Sequence, residues 1–208
     1  MRDCAVMGHE NESFTARRLI VLGALLVGVI TSLSCGGALF RVKPVADLPP
    51  LPDSSKNASA GGITVRVAPL LTDEESQELF EANLPLAGLL PVRVELTHES
   101  GIPVETRRAR FRLRDGQGGE WKWVSAKQAS SRILKANGVF AYNPNSRKQF
   151  EKEFAAYGIE LKTPLTTTDR RRQGFLFFQS PNKEPVTTPR ELTLIVERLP
   201  QPVEIKLN

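Results

Sequence analysis

Short runs in which apolar and polar residues alternate dominate the chain from residue 63 onward. Alternation with a period of two is typical of a strand with one buried face, because successive side chains point to opposite sides of the sheet. Gly, Pro and Asn residues that favour turns separate the runs. The pattern predicts about seven strands, at residues 63–67, 92–96, 109–113, 121–123, 174–178, 192–196 and 203–207.

Polar pairs with the spacing of a helix capping box interrupt these strands. In this motif a hydroxyl side chain and a Glu or Gln three residues later bind backbone amides that the first helical turn leaves free. The pairs are Thr72 with Glu75, Ser125 with Gln128, and Ser146 with Gln149. The last helix would bury an apolar stripe formed by Phe150, Phe154 and Tyr157. The second and third helices would form an insertion at about residues 125–160.

The N-terminus has the pattern of an export signal. Arg17 and Arg18 precede the apolar run LIVLGALLVGVITSL, and the small residues that follow end at Cys35. This arrangement resembles the signal of bacterial lipoproteins, which implies that Cys35 is acylated, for example with palmitate, and becomes the mature N-terminus. The alternative is an uncleaved anchor, because residues 19–40 carry no charge and are long enough to span a bilayer core of about 30 Å. Both interpretations place the rest of the chain outside the inner membrane, since the two arginines stay cytoplasmic.

A segment rich in Pro, Ser, Ala and Gly follows the signal at residues 43–62. This composition buries little surface and favours an extended or disordered spacer. We therefore expect a signal peptide at residues 1–34, a lipidated N-terminus with a flexible tether at 35–62, and a folded domain at 63–208.

The composition of the chain limits the kinds of partner and site that we expect. The net charge of +5 is mild and spread along the chain, so an anionic surface is a reasonable partner and nucleic acid is not expected. The other cysteine, Cys4, lies inside the signal, so the mature domain would have no disulfide. The glycine-rich residues 116–119 lead into a strand and predict a hairpin turn instead of a phosphate loop. We expect neither a cofactor nor a metal site.

Several strand sequences resemble the immunoglobulin-like domains of secreted and lipid-anchored bacterial proteins. They are LLPVRVELTHESG, the charged strand that ends in a glycine-rich turn, and the late pair GFLFF and ELTLIVE. The resemblance covers roughly residues 63–200 and implies an antiparallel β-sandwich that binds or supports and usually has no catalytic role. The predicted fold is thus mainly β: an immunoglobulin-like sandwich of about seven strands with a helical insertion.

The strongest functional candidate is an arginine ladder, defined as Arg108, Arg110, Arg112 and Arg114. Alternate residues of a strand share a face, so the guanidiniums would line up at intervals of roughly 7 Å. Such a row suits phosphates, carboxylates or an acidic partner. The competing interpretation is a solvated face whose arginines pair with glutamates of neighbouring strands, such as Glu95. Residues 170–172, expected in a loop before Gly174, would add a second basic patch.

Residues that could support catalysis are scarce. His98 is the one histidine after the signal, and we expect it to face solvent or to bind its own turn. Trp121 and Trp123 could stack on a sugar, but we expect one or both to fill the core. No catalytic residue is predicted.

Together these features predict a lipoprotein of the bacterial cell envelope that faces the periplasm or the exterior and has a noncatalytic binding or scaffolding role. The membrane would be its partner through the lipid or the signal anchor, and an envelope protein or an anionic lipid or glycan would be a further partner. One alternative is an envelope enzyme that acts on the cell wall or a glycan, which would need a cleft gathering His98 with carboxylates. Another is a subunit of an envelope assembly or secretion complex, which would present a flat apolar or arginine-rich patch.

Overall fold

A computed structural model describes residues 42–138, 144–187 and 189–208; the signal and Cys35 lie outside the described residues. The described chain is mainly β, as predicted, and its strands form one antiparallel sheet. The strands are β1 (Lys56–Ala60), β2 (Ile63–Pro69), β3 (Leu89–His98), β4 (Arg110–Arg114), β5 (Glu120–Val124), β6 (Arg171–Gln179), β7 (Thr193–Glu197) and β8 (Val203–Lys206). The helices are α1 (Asp73–Phe80), α2 (Ala126–Ala136) and α3 (Pro144–Ala155).

The eight strands lie in the order β1-β2-β3-β6-β5-β4-β7-β8. Each of the seven predicted runs falls on a strand, and β1 is the strand that the pattern did not predict. β1 pairs with β2 across a tight turn, with Ala60 opposite Ile63. Hydrogen bonding therefore joins the strands into one continuous sheet of eight.

One face of the sheet encloses the main apolar core. Side chains from β2 and β3 meet side chains from β4, β7 and β8 in a single buried cluster, which includes Val65, Val94, Leu113, Leu194 and Ile205. The two ends of the sheet come together at their turns, because a Cβ atom on Gly61 would lie 2.7 Å from the Cβ of Pro200. Gly61 also has a φ of 60°, so both the close approach and the backbone conformation favour glycine there.

A helical layer covers part of the other face and forms a second core. Phe175 and Phe177 of β6 point into it, and Phe80 of α1 sits 5.4 Å from Phe175 by ring centroids. Phe80 also contacts Tyr157 at 4.9 Å. The predicted stripe of Phe150, Phe154 and Tyr157 is buried in this cluster, which confirms its role in packing.

Two of the three predicted capping boxes are present. Thr72 caps α1 with Glu75, and Ser125 caps α2 with Gln128, each with both reciprocal hydrogen bonds. The third prediction is wrong: α3 begins at Pro144, so Ser146 lies inside its first turn. Proline suits the first turn because its missing N–H is not needed there.

The N-terminal segment packs more than its composition suggested. Residues 56–60, expected in the tether, form β1, and Leu51 is buried. Val42, Val45 and Leu48 pack against the helical core. Strand formation needs backbone hydrogen bonds more than large side chains, and the small Ala58 and Ala60 fit against the main core.

None of the helices in the described ranges has the length and apolarity needed to cross a membrane.

Candidate functional site

The most unusual polar residue of the fold is Arg93, in the middle of β3. On this strand Leu90, Val92, Val94 and Leu96 belong to the main core, so the alternate residue Arg93 points to the face that carries the helices. Its side chain is only 5% exposed. Burial of a charge is costly unless other groups compensate it, so its surroundings decide what it does.

A buried carboxylate, Glu95, lies on the same face of β3 and is 3% exposed. Its Oε2 atom is 2.5 Å from Nη2 of Arg171 on β6, and its Oε1 atom is 3.7 Å from Nη1 of Arg66 on β2. The register of the sheet produces this cluster, because Arg66 stands directly opposite Glu95 on β2. Three guanidiniums, those of Arg66, Arg93 and Arg171, therefore surround one carboxylate, and the cluster carries excess positive charge.

The hydrogen bonds of Arg93 are incomplete. Its Nη2 atom donates to Oε1 of Gln173 at 3.3 Å. Among the described residues its buried Nε–H has no acceptor, and neither has the hydroxyl of Tyr157, which is 1% exposed. Arg93 and Tyr157 are near enough to influence each other electrostatically. Two buried donors thus lack an acceptor in one region of the fold.

The electrostatics of the site follow from burial. Burial lowers the pKa of the Arg93 guanidinium, and the neighbouring Glu95 carboxylate opposes this effect. Arginine stays protonated despite such a shift, so the site keeps its positive charge. Burial also raises the pKa of Tyr157 to about 12, so its hydroxyl remains a neutral donor at physiological pH.

A groove of about 690 Å³, the Arg93 groove, opens beside Arg93. The space exists partly because Ala68, directly opposite Arg93 on β2, is small. One wall is the N-terminal segment, and another is α1 with the loop before it. The groove is mostly apolar, and its lining includes Pro49, Pro52, Val67, Leu70, Leu79 and Leu207. An apolar groove with a cation at one place suits a ligand that combines an anionic group with an apolar part.

The arginine ladder has a different environment. Arg110, Arg112 and Arg114 share the exposed face of β4, whereas Arg108 lies in the preceding turn. Arg112 pairs with Glu120 of β5 and, at 3.2 Å, with Glu197 of β7. The hydrogen bond with Glu120 raises the pKa of Arg112 and lowers that of Glu120. The ladder therefore includes cross-strand pairs with neighbouring glutamates.

The prediction that Glu95 would pair with the arginine ladder is wrong. Glu95 lies on β3 and pairs with Arg66 and Arg171. The second basic patch is also placed differently. Arg171 and Arg172 belong to β6, not to a loop, because the strand begins three residues before Gly174. Arg172 is buried; it pairs with Asp169 and donates to the carbonyl of Thr163.

His98 is buried at the end of β3 and binds its own turn. Its Nε2 atom is 2.8 Å from the carbonyl oxygen of Ile102 and 3.0 Å from Oγ of Ser100. This is the turn-bonding placement expected from the sequence. Across the ranges that the structure describes, no group of three or more His, Cys, Asp and Glu side chains is placed to hold a metal ion.

The two tryptophans differ in burial. Trp121 is buried and donates from Nε1 to Oδ2 of Asp115 at 3.0 Å, so it fills the core with its polar atom satisfied. Trp123 is 37% exposed and stands edge-on to Phe111, with ring centroids 5.5 Å apart.

The turn at residues 116–119 joins β4 to β5, which confirms the predicted hairpin.

Sequence reasoning did not single out Arg93. The alternation of the strand LLPVRVELTHESG indicated that Arg93 and Glu95 share the face opposite the core. That face would be solvated in a simple sandwich, whereas here the helices and the N-terminal segment cover it.

Comparison of the chain with protein-family models, curated proteins and solved structures gave no significant match.

Proposed function

We propose that this chain is a lipoprotein of the bacterial cell envelope whose folded domain has a noncatalytic binding role. The proposal of a lipid anchor is supported by the order of features at the N-terminus. They are Arg17 and Arg18, an uninterrupted apolar run, and then Cys35 among small residues. Several acyl chains on one cysteine would hold the domain stably at a membrane, whereas one chain would not.

The proposed anchor is close to the domain in sequence. Cys35 precedes Val42 by seven residues, and Val42 packs against the helical core. A chain of this length spans at most about 25 Å, so a lipid on Cys35 would keep the domain near the bilayer surface. The domain would therefore meet ligands that are in the membrane or next to it.

A binding role is supported by the Arg93 groove, which combines an apolar lining with a buried cation. The immunoglobulin-like character of the fold is part of the same proposal. It is supported by the single core in which side chains of β2 and β3 meet those of β4, β7 and β8, as the two layers of a sandwich would.

Metabolic labelling with a palmitate analogue tests the anchoring. The wild type and Cys4→Ala should incorporate label in the membrane fraction, because Cys4 is removed with the signal. Cys35→Ala should incorporate none and should keep its signal peptide. Unchanged labelling and processing of Cys35→Ala would contradict the proposal.

Crosslinking in intact envelopes tests the binding role. A double variant, Arg110→Glu with Arg112→Glu, reverses two charges of the arginine ladder, and Arg93→Gln removes the buried cation of the groove. We expect Arg93→Gln to lose crosslinked material that the wild type retains. A pattern that is the same in both variants and the wild type would remove both surfaces as binding sites.

A further inference from the structure

We propose that the Arg93 groove binds a single-chain anionic amphiphile taken from the membrane, with its charged head at Arg93 and its apolar chain along the groove. This inference rests on the proposed function, because membrane anchoring is what places the groove beside a source of such molecules. The ligand class follows from the polar end of the groove, its apolar walls and its position in the chain.

Arg93 gives the polar end of the groove a hydrogen-bond donor without an acceptor. Within the part of the chain that the structure describes, its Nε is buried and unpartnered. Buried polar groups are rarely left without partners, since an unmade hydrogen bond costs free energy. An anionic oxygen at this place would accept from Arg93.

The charge balance around Arg93 favours an anion over a neutral ligand. Glu95 contacts Arg66 and Arg171 and also acts on Arg93 through space, so three guanidiniums share one carboxylate. The other carboxylates of the lining, Glu75 and Glu78, have partners elsewhere: Glu75 accepts from the backbone amides of Leu71 and Thr72, and Glu78 lies 3.6 Å from Nζ of Lys43. The excess positive charge therefore lies at the Arg93 end of the groove, where three guanidiniums share one carboxylate.

The walls of the groove suit an acyl chain. Its volume of about 690 Å³ is within the range of roughly 300–1,000 Å³ that is common for small-molecule sites. Prolines of the N-terminal segment and leucines of the loop and of α1 line it, notably Pro49, Pro50, Leu70 and Leu79, and most of its lining surface is apolar. An apolar chain would therefore bury this surface without leaving polar groups of its own unpaired.

The position of the groove in the chain points to the membrane as the source. The chain enters the domain at Lys43, whose backbone amide donates to the carbonyl of Leu79 at 3.1 Å. Leu79 and Glu78, which contact Lys43, both line the groove. The groove thus opens beside the residues at which the chain would arrive from an anchor at Cys35.

A titration with dodecanoate labelled with carbon-13 at its carboxyl carbon tests the proposal. The full chain is placed in discs of phosphatidylcholine, and the carboxyl resonance is followed by NMR. We expect a second resonance that saturates at one ligand per chain. Its titration midpoint should lie at a lower pH than that of dodecanoate dissolved in the bilayer, because a guanidinium favours the ionised carboxylate.

Three variants assign this resonance to the groove. Arg93→Gln removes the cation, and Ala68→Leu fills the space beside Arg93 while keeping every charge; each should weaken binding by about tenfold or more. Arg147→Gln, at an exposed position of α3 where the arginine pairs with Glu151, is the matched control and should bind as the wild type does. If Arg93→Gln fails to fold by circular dichroism, Ala68→Leu alone decides.

Competing ligands test the chemistry of the occupant. Dodecyl phosphate should displace dodecanoate, and the ratio of the two affinities tells whether a phosphate or a carboxylate head is preferred. Equal displacement by neutral dodecanol would overturn the proposal, and so would the absence of a saturable resonance. Displacement by an acidic peptide at lower concentrations than dodecyl phosphate would assign the groove to a peptide and would also overturn it.

The result is separable from the test of anchoring. Binding is measured on the purified full chain, so a negative labelling result for Cys35 would leave the dodecanoate measurement intact. A missing dodecanoate resonance would in turn leave the lipidation of Cys35 untouched.

Discussion

Glu95 is the buried counter-charge that makes the cluster on β2, β3 and β6 tolerable. Its carboxylate contacts Arg66 and Arg171 and also acts on Arg93 through space. Removing one partner from a buried charge cluster costs more than removing a surface pair, because the remaining charges stay poorly solvated. The stability of the domain should therefore depend strongly on this one side chain.

We expect Glu95→Gln to lower the free energy of unfolding by about 2–3 kcal/mol. This is less than for a fully buried pair, because Arg66 and Arg171 are partly exposed and can regain water. Urea unfolding of the purified protein measures the change. Glu204→Gln, an exposed change on β8, should stay within about 0.5 kcal/mol of the wild type. A Glu95→Gln protein as stable as Glu204→Gln would show that the cluster is not held by its carboxylate.

Tyr157 should make the stability of the domain fall at alkaline pH. In the unfolded chain its phenol ionises near its ordinary pKa of 10, whereas in the folded domain burial raises this pKa to about 12. Between these values only the unfolded state loses the proton, so the contribution is fully present below pH 10 and is lost as the pH rises toward about 12. The loss is at most about 1.4 kcal/mol per pH unit.

Urea unfolding at about pH 9 and about pH 11, on either side of the ordinary phenol pKa, measures this effect. Tyr157→Phe should lose less stability between the two conditions than the wild type does. Other groups that titrate in this range are common to both proteins, so the difference isolates Tyr157. Equal losses would contradict the role of its burial.

At the residue scale the sequence predicted which face a side chain takes but not its solvation. The alternation around Arg93 and Glu95 placed both opposite the core, which is where they lie. Arg93 lies beside α1 and the N-terminal segment, and Glu95 lies between arginines of β2 and β6, all of them outside the alternating run. A pattern with a period of two contains no information on such long-range cover.

Two of the helices, α1 and α2, begin at N-terminal capping boxes. On α2, the side chain of Ser125 accepts from the backbone amide of Gln128, and the side-chain Oε1 of Gln128 accepts from the backbone amide of Ser125. The helix then buries Ala129, Ile133 and Leu134 in the second core. Loss of the cap should thus weaken the packing of the helical layer.

Ser125→Ala should lower the free energy of unfolding by about 1 kcal/mol, which is typical for loss of an N-cap. The same chemical change at Ser131 is the control, because Ser131 lies within α2 and its hydroxyl donates to the carbonyl of Lys127. Ser131→Ala should be neutral or stabilise slightly, since alanine is the better helix former. Thermal unfolding of both variants measures the difference. Equal effects would mean that the hydroxyl of Ser125 does not act as a cap.

At the element scale, strands with large apolar residues could be predicted from the sequence, whereas a strand of small and polar residues could not. Residues 63–67 of β2 and residues 92–96 of β3 carry Val, Ile and Leu in alternation with polar residues. The sequence of β1, KNASA, has no large apolar residue, and its composition favoured a spacer. It becomes a strand because β2 offers it a paired edge.

The whole sheet depends on contacts between segments far apart in the chain. The longest pairing joins β3 to β6, and between them the chain forms β4, β5 and two helices. The order of the strands in the sheet could not be derived from the spacing of the predicted runs, because each run specifies a strand but not its neighbour. The turns at Gly61 and Pro200 then bring the two ends together.

Gly61→Ala tests this closure. The added Cβ would meet Pro200, and the φ of 60° is unfavourable for alanine, so we expect a loss of about 1–3 kcal/mol in the free energy of unfolding. Gly101→Ala is the control, because nothing lies within 4 Å of its Cβ position. It should be neutral or stabilise by up to about 1 kcal/mol. Chemical denaturation measures the free energy of unfolding of both variants. Equal values would contradict the contact between the turns at Gly61 and Pro200.

The membrane anchor and the Arg93 groove together define the function proposed for the whole molecule. Anchoring at Cys35 would hold Val42, where the chain joins the domain, within about 25 Å of the lipidated residue, and it would make the domain a local binding protein. Without the anchor, the groove would have no preferred source of ligand. The central claim is therefore the lipidation of Cys35.

The most direct test of this claim is the intact mass of the protein purified from envelopes of cells that produce the natural chain. We expect the mass of residues 35–208 plus acyl groups on Cys35, with fragment ions that place the added mass on that residue. The mass of residues 1–208 without any addition would contradict the account.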